Sequence, residues 1–147
     1  MSILKKTKAD VALANALNGK VVVHTSADVS HPIKAYKQGK QPNKGVGSEF
    51  ILVQQNGVIS SPDKPMNYFT GNIAVEVRCK LQSNNTTKDN IIDEILMQIE
   101  EIAHCKSYGG FYYEMEADNV IVPTTPNLTE GYSTTVINVK WHTSNNL

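Results

Sequence analysis

Cysteine is scarce in this chain. Cys79 and Cys105 stand alone in 147 residues, too few for a disulfide framework, and a reduced, cytosolic state is the simpler reading. Long apolar runs are lacking too. None approaches the roughly 20 residues needed to cross a bilayer, which argues against a membrane protein. The start, MSILKKTKAD, has lysines but no apolar stretch or small-residue cleavage site behind them, so no signal peptide is expected. Net charge is absent, with 14 Lys and Arg against 14 Asp and Glu. That balance argues against a general binder of nucleic acid or membrane.

Reactive constellations are missing as well. The four histidines, His24, His31, His104 and His142, sit in no metal-ligand spacing. His104 and Cys105 are adjacent at the end of an expected helix, so their side chains diverge by about 100°. A histidine there more often meets the helix dipole. Cys79 alternates with valines and reads as a small core hydrophobe. No GxSxG, P-loop or GxGxxG follows a strand. KGVGSE from Lys44 has no following helix to supply phosphate-binding amides. The chain is therefore read as a non-enzyme with no catalytic residue, metal or cofactor.

What is present is the composition of a globular protein, 40% apolar and 19% charged, with length for one domain over 1–147. Thr7 to Gly19 reads as a helix: Thr7 and Asp10 fit its start, Val11, Ala14 and Leu17 share a face, and Gly19 suits the end. KVVVHTS from Lys20 is β-branched and extended. Ala27 to Glu49 is read as a long loop, rich in Pro, Gly and Lys. FILVQQNGVISS predicts a hairpin turning at Asn56-Gly57, and SPDKPMNYFTG a second loop.

The best-patterned stretch follows. Ile73, Val75, Val77, Cys79 and Leu81 alternate with Ala74, Glu76, Arg78 and Lys80, a half-buried strand with a wet or partner-facing side. Ile91, Ile92, Ile95, Leu96, Ile99, Ile102 and Ala103 then line one side of a helix capped by Thr86 or Thr87 and ending near Ser107. Phe111 to Asp118 and Ile137 to His142 alternate as two more strands, joined across the polar linker PTTPNLTEG. The order predicts an α+β domain, with a mainly antiparallel sheet of about four to five strands and two helices packed on one face.

Charge is unevenly spread along the chain. From Met1 to Lys64 nine lysines stand against four acids; from Pro65 to Leu147 five basic residues stand against ten acids. Either the charges intermingle in the fold, or opposite faces of identical copies attract head to tail. Glu114, Glu116 and Asp118 share one strand face and repel unless they face water or a basic partner. Lys34, Lys37, Lys40 and Lys44 are the candidate partner, across a subunit contact or against DNA.

YFTG leading into NIAVEVRCKL, the helix TKDNIIDEILMQIEEIAHC, and the closing strands ending in GYSTTVINVKWHT resemble, from about Phe50 to His142, the plan of tail-terminator and tail-completion proteins of long-tailed bacteriophages. The N-terminal helix belongs to the same plan. The resemblance implies a structural virion protein of the tail or neck, assembled in the host cytoplasm. It would form a ring, usually a hexamer, that caps the tail tube and joins it to the head–tail connector, with DNA passing through the lumen. The family contributes no catalytic residues. Two alternatives stay beside it: a neck or head-completion protein of the same particle, and a ligand-binding domain with a pocket built from His24, His31, Tyr36 and Tyr68.

Overall fold

The computed structural model describes residues 8–26, 29–42, 47–60, 69–115 and 121–143. Along the chain run α1 (Ala9–Leu17), β1 (Val22–Ser26), β2 (Val29–Pro32), β3 (Lys34–Lys37), β4 (Glu49–Ser60) and β5 (Thr70–Lys80). They are followed by α2 (Asp89–Ala103), β6 (Lys106–Tyr108), β7 (Phe111–Glu114), β8 (Ile121–Asn127) and β9 (Tyr132–Thr143).

Seven of these strands form one curled sheet in the order β3-β4-β5-β9-β7-β6, with β8 also paired to β9. The long strand β9 is the junction. One edge pairs β5 from Tyr132 to His142, while the other is shared by β8 near Tyr132 and β7 near Thr143. Every pairing in this sheet is antiparallel except β3 with β4, which is parallel. The α+β class, the mainly antiparallel sheet and the two helices agree with the sequence reading. The sheet has seven strands where four to five were expected.

The extra strands lie in stretches that the sequence reading gave to loop, helix end and linker. β2 and β3 lie inside the stretch read as a loop: β2 pairs β1 in a separate two-stranded sheet, and β3 joins the main sheet beside β4. β6 occupies the expected last turn of the helix. α2 stops at Ala103 because Cys105 takes φ 58, in the left-handed region that ends helices, and Gly109-Gly110 at φ 60 and 88 then close a two-residue hairpin to β7. β8 covers most of the stretch read as a linker and tolerates Pro123 and Pro126 because it lies outside β9.

Asn56-Gly57 does not turn the chain. β4 continues past it, and three residues, 57 to 59, face the single Gly71 between the pairs Asn56↔Asn72 and Ser60↔Thr70. The positive φ of Gly57, 80°, bulges the strand rather than reversing it. At that level the Trp141 indole lies over Gly71, 2.8 Å from where a Cβ would stand, and Gln55 Oε1 accepts the indole N–H at 3.1 Å.

Both helices pack on the same side of the sheet. α1 buries Leu13 and Leu17, and α2 buries Ile92, Ile95, Ile99 and Ala103. Leu13, Leu17, Ile95, Ile99 and Ala103 form one core with Val53, Val75, Val77, Val139 and Trp141, so the alternation in β5 and β9 was read on the correct face. Gly19, at φ 75, ends α1 as expected, whereas Thr7 lies outside the described residues. The expected cap on α2 does not form. Lys88 holds the N-cap position without a side-chain cap, and the Thr87 hydroxyl donates to Asp89 Oδ1 instead. Gln98 on α2 anchors β1, accepting from Val22 N–H at 2.8 Å and donating to Val22 C=O at 2.7 Å.

Candidate assembly surface

The lysines singled out in the sequence come to one edge of the sheet. Lys34 and Lys37 lie on β3 and Lys40 in the turn behind it, while Lys44 is outside the described residues. Lys34 and Lys40 are exposed, and none of the three forms an ion pair among the described residues. Their proposed partners are elsewhere. Glu114, half-buried on β7, faces Lys140 of β9 in register, and Glu116 and Asp118 are outside the described residues. Three strands separate β3 from β7, about 19 Å at ordinary strand spacing. The lysines and Glu114 are not brought together within one copy.

The sheet face opposite the helices carries Ala74, Glu76, Arg78, Val136, Asn138 and Lys140, all half-buried. Arg78 donates from Nη2 to Glu76 Oε2 at 2.9 Å. On this same face Phe50 and Leu52 are only 6% and 2% exposed, because the turn after β3 folds over them. Between that turn and the β8–β9 turn lies a groove of about 530 Å³, lined by Gly39, Gln41, Leu52, Arg78, Glu130 and Tyr132. The Tyr132 ring meets Phe50 edge-on at 5.6 Å and its hydroxyl donates to Gly47 C=O at 2.8 Å. Burial raises the phenol's pKa, with the Glu49 charge adding to it.

Helix α2 turns a second stripe outward. Asp93, Met97, Glu100 and Glu101 follow the i, i+4, i+7, i+8 spacing of one helix side and are exposed, Met97 by 66%. The sequence reading placed Asp89, Asp93 and Glu94 at the positive end of the helix dipole and did not join Asp93 to Met97, Glu100 and Glu101 as one face. The complementary spacing of acids around Met97 was the available signal.

The sheet edges are poorly suited to further strand pairing. Beside β3, Ala35 N–H is taken by Asn18 Oδ1 at 3.0 Å and Ile33 exchanges hydrogen bonds with Gly19 and Val21. β8 carries two prolines, and β6 is three residues long and begins with a lysine. Such edges resist augmentation, which leaves faces and turns as the surfaces for association.

The histidines do not converge. His24 contacts Glu94, and His31 Nε2 lies 3.3 Å from Glu49 Oε1. The pairs Val23↔His31 and His24↔Ser30 put the two rings on opposite faces of the β1–β2 hairpin. His104 Nδ1 accepts Met115 N–H at 2.9 Å, in place of the expected role at the helix dipole, and His142 stacks near Tyr112. Tyr36 sits on β3, and Tyr68 is outside the described residues. No group of three metal-ligating side chains occurs among the described residues, and no helix among them is long and apolar enough to cross a membrane.

The two cysteines differ, and Cys79 is buried as its alternation with valines predicted. Cys79 is fully buried on β5, and burial, then the nearby Glu49, raises its thiol from 9.0 to about 11. The unfolded chain ionises this thiol first, so the stability tied to it is intact below about pH 9 and lost as pH rises toward 11. Its full loss amounts to about 2–3 kcal/mol. Urea midpoints measured across that range should fall, and the fall should be shallower in Cys79→Val. At pH 8 a thiol reagent should label exposed Cys105 at once and Cys79 only on unfolding.

Comparison with protein-family models gives no match to this chain, and a search of curated proteins gives none either.

Proposed function

We propose that this chain is a structural protein that associates head to tail with copies of itself into a closed ring. We further propose that the ring caps the tail tube of a long-tailed bacteriophage and meets the head–tail connector. The observation that supports this reading best is the sheet with helices on one face only, lysines at its β3 edge that form no ion pair among the described residues, and exposed acids on the helix-bearing side. Charge separated in this way favours unlike faces meeting between copies, and the blunted sheet edges disfavour endless strand pairing. The element order supplies the rest, through its resemblance to tail-terminator and tail-completion proteins. In such a ring the β3 lysines would face a neighbour or DNA in the lumen.

The test is native mass spectrometry across a concentration series, with electron microscopy of the protein mixed with polymerised tail tubes. Closed rings, six copies being expected, should appear at one end of each tube and halt its growth. Rings that ignore tubes but bind connector assemblies would transfer the protein to the neck. A monomer with no effect on either would remove it from this part of the particle.

A further inference from the structure

We propose that the outward stripe of α2 on one copy seats in the groove beside β3 on the next, with Met97 against the apolar rim and the acids against Lys34, Lys40 and Arg78. This rests on the ring reading and names the contact within it. Each surface is incomplete alone. Arg78 is the chain's one arginine; it spends one N–H on Glu76, while its buried Nε finds no hydrogen-bond partner. The Arg78 side chain is still 23% exposed at the groove wall, so a carboxylate from outside can reach the guanidinium. A guanidinium also suits carboxylates better than a point charge does.

The acid that lines the groove, Glu130, is already engaged with Asn127 Nδ2 at 2.7 Å, and Glu76 nearby holds Arg78. Lys34 is in register with Phe50, which is in register with Arg78, so the three form one row on the open face. Lys40 stands beside the rim residues Gly39 and Gln41. The opposing stripe offers the complement: three carboxylates around an exposed methionine, none in an ion pair among the described residues. Methionine is flexible and polarisable, and suits a groove whose apolar rim, Pro42 and Tyr132, stays accessible above buried Phe50 and Leu52.

Position decides that the partner is a second copy. α2 packs on the helix-bearing face, and the groove opens on the other. One molecule cannot join them. Two can, and the contact is then heterologous, which generates a ring when its rotation closes.

The experiment is charge reversal with rescue, read by sedimentation velocity and native mass spectrometry without tail tubes. Glu100→Lys with Glu101→Lys should weaken self-association at least about tenfold, as should Lys34→Glu with Lys40→Glu. An equal mixture of the two doubly substituted proteins should associate again, since each then meets a complementary face. Far-UV circular dichroism should be unchanged. Should a reversed protein fold poorly, Glu100→Gln with Glu101→Gln should still weaken association and flatten its dependence on salt.

Reversed proteins that assemble like the unaltered chain, or a mixture that does not recover, would overturn this contact and leave rings to be explained by another. An unaltered chain that stays monomeric at every concentration overturns it also. Because tubes are absent, rings that pass this test but ignore tubes would keep the contact and sink only the tail-capping reading.

Discussion

Trp141→Ala should lower the unfolding free energy by about 3–5 kcal/mol, more than any other single truncation considered for this chain. The indole is fully buried where three strands meet, with Gly71 of β5 and Tyr113 of β7 opposite it in register. It packs edge-on against Phe111, ring centres 5.3 Å apart, and its N–H satisfies Gln55 Oε1. Truncation therefore opens a cavity, removes an aromatic pair and orphans an acceptor at once. Gly71 exists to admit the indole: an added Cβ would meet it at 2.8 Å. Gly71→Ala should cost about 1–3 kcal/mol by overpacking, and much less once Trp141 has been replaced by leucine. Urea denaturation of the four proteins in this cycle measures the coupling. A Trp141→Ala loss below about 1.5 kcal/mol, or strict additivity with Gly71→Ala, would show that the indole is not wedged there.

Ile95→Ala should cost about 2–5 kcal/mol. Its side chain is 0% exposed, at the centre of the α2 stripe that meets the sheet. The contrast lies two residues on. Met97 faces outward, and Met97→Ala should change the monomer's stability by no more than about 0.5 kcal/mol. Chemical denaturation at a protein concentration low enough to avoid association separates the two. A loss at Ile95 under about 1 kcal/mol would mean that the helix presents another side to the core.

Both predictions depend on patterns that sequence reveals well. Ile73 to Leu81 alternates without a break, and Ile92, Ile95 and Ile99 recur at helical spacing, so face and element type were both legible. The misreadings came where a partner decides the structure. β3 is four residues with two lysines, and only its place beside β4 makes it a strand. β8 contains prolines that argue against a strand unless one edge is free. Asn56-Gly57 has the residues of a tight turn, yet the close approach of Trp141 and Gly71 uses its flexibility as a bulge. Of the lysines, Lys34 and Lys40 are exposed and Lys37 is half-buried. That Lys140 stands opposite Glu114 was not legible, because their register joins separate strands and leaves no local trace. The groove was invisible for the same reason: Phe50 and Arg78 meet the β3 turn only in three dimensions.

The split partnership of β9 has a kinetic consequence. Thr70 bonds Trp141 across a separation of 71 positions, so closing the sheet means paying a large loop-closure entropy before the reward arrives. Sheets dominated by such pairings fold in milliseconds to seconds rather than microseconds. Until β9 docks, β4–β5 and β6–β7 are two ribbons with raw edges, joined through α1, which packs on β4 and accepts the Tyr113 hydroxyl at Ala9 C=O. The slow step should therefore be the arrival of β9, and a chain paused before it is the species most exposed to aggregation. Any association of copies would then wait on a unimolecular event whose rate is independent of how many copies are present.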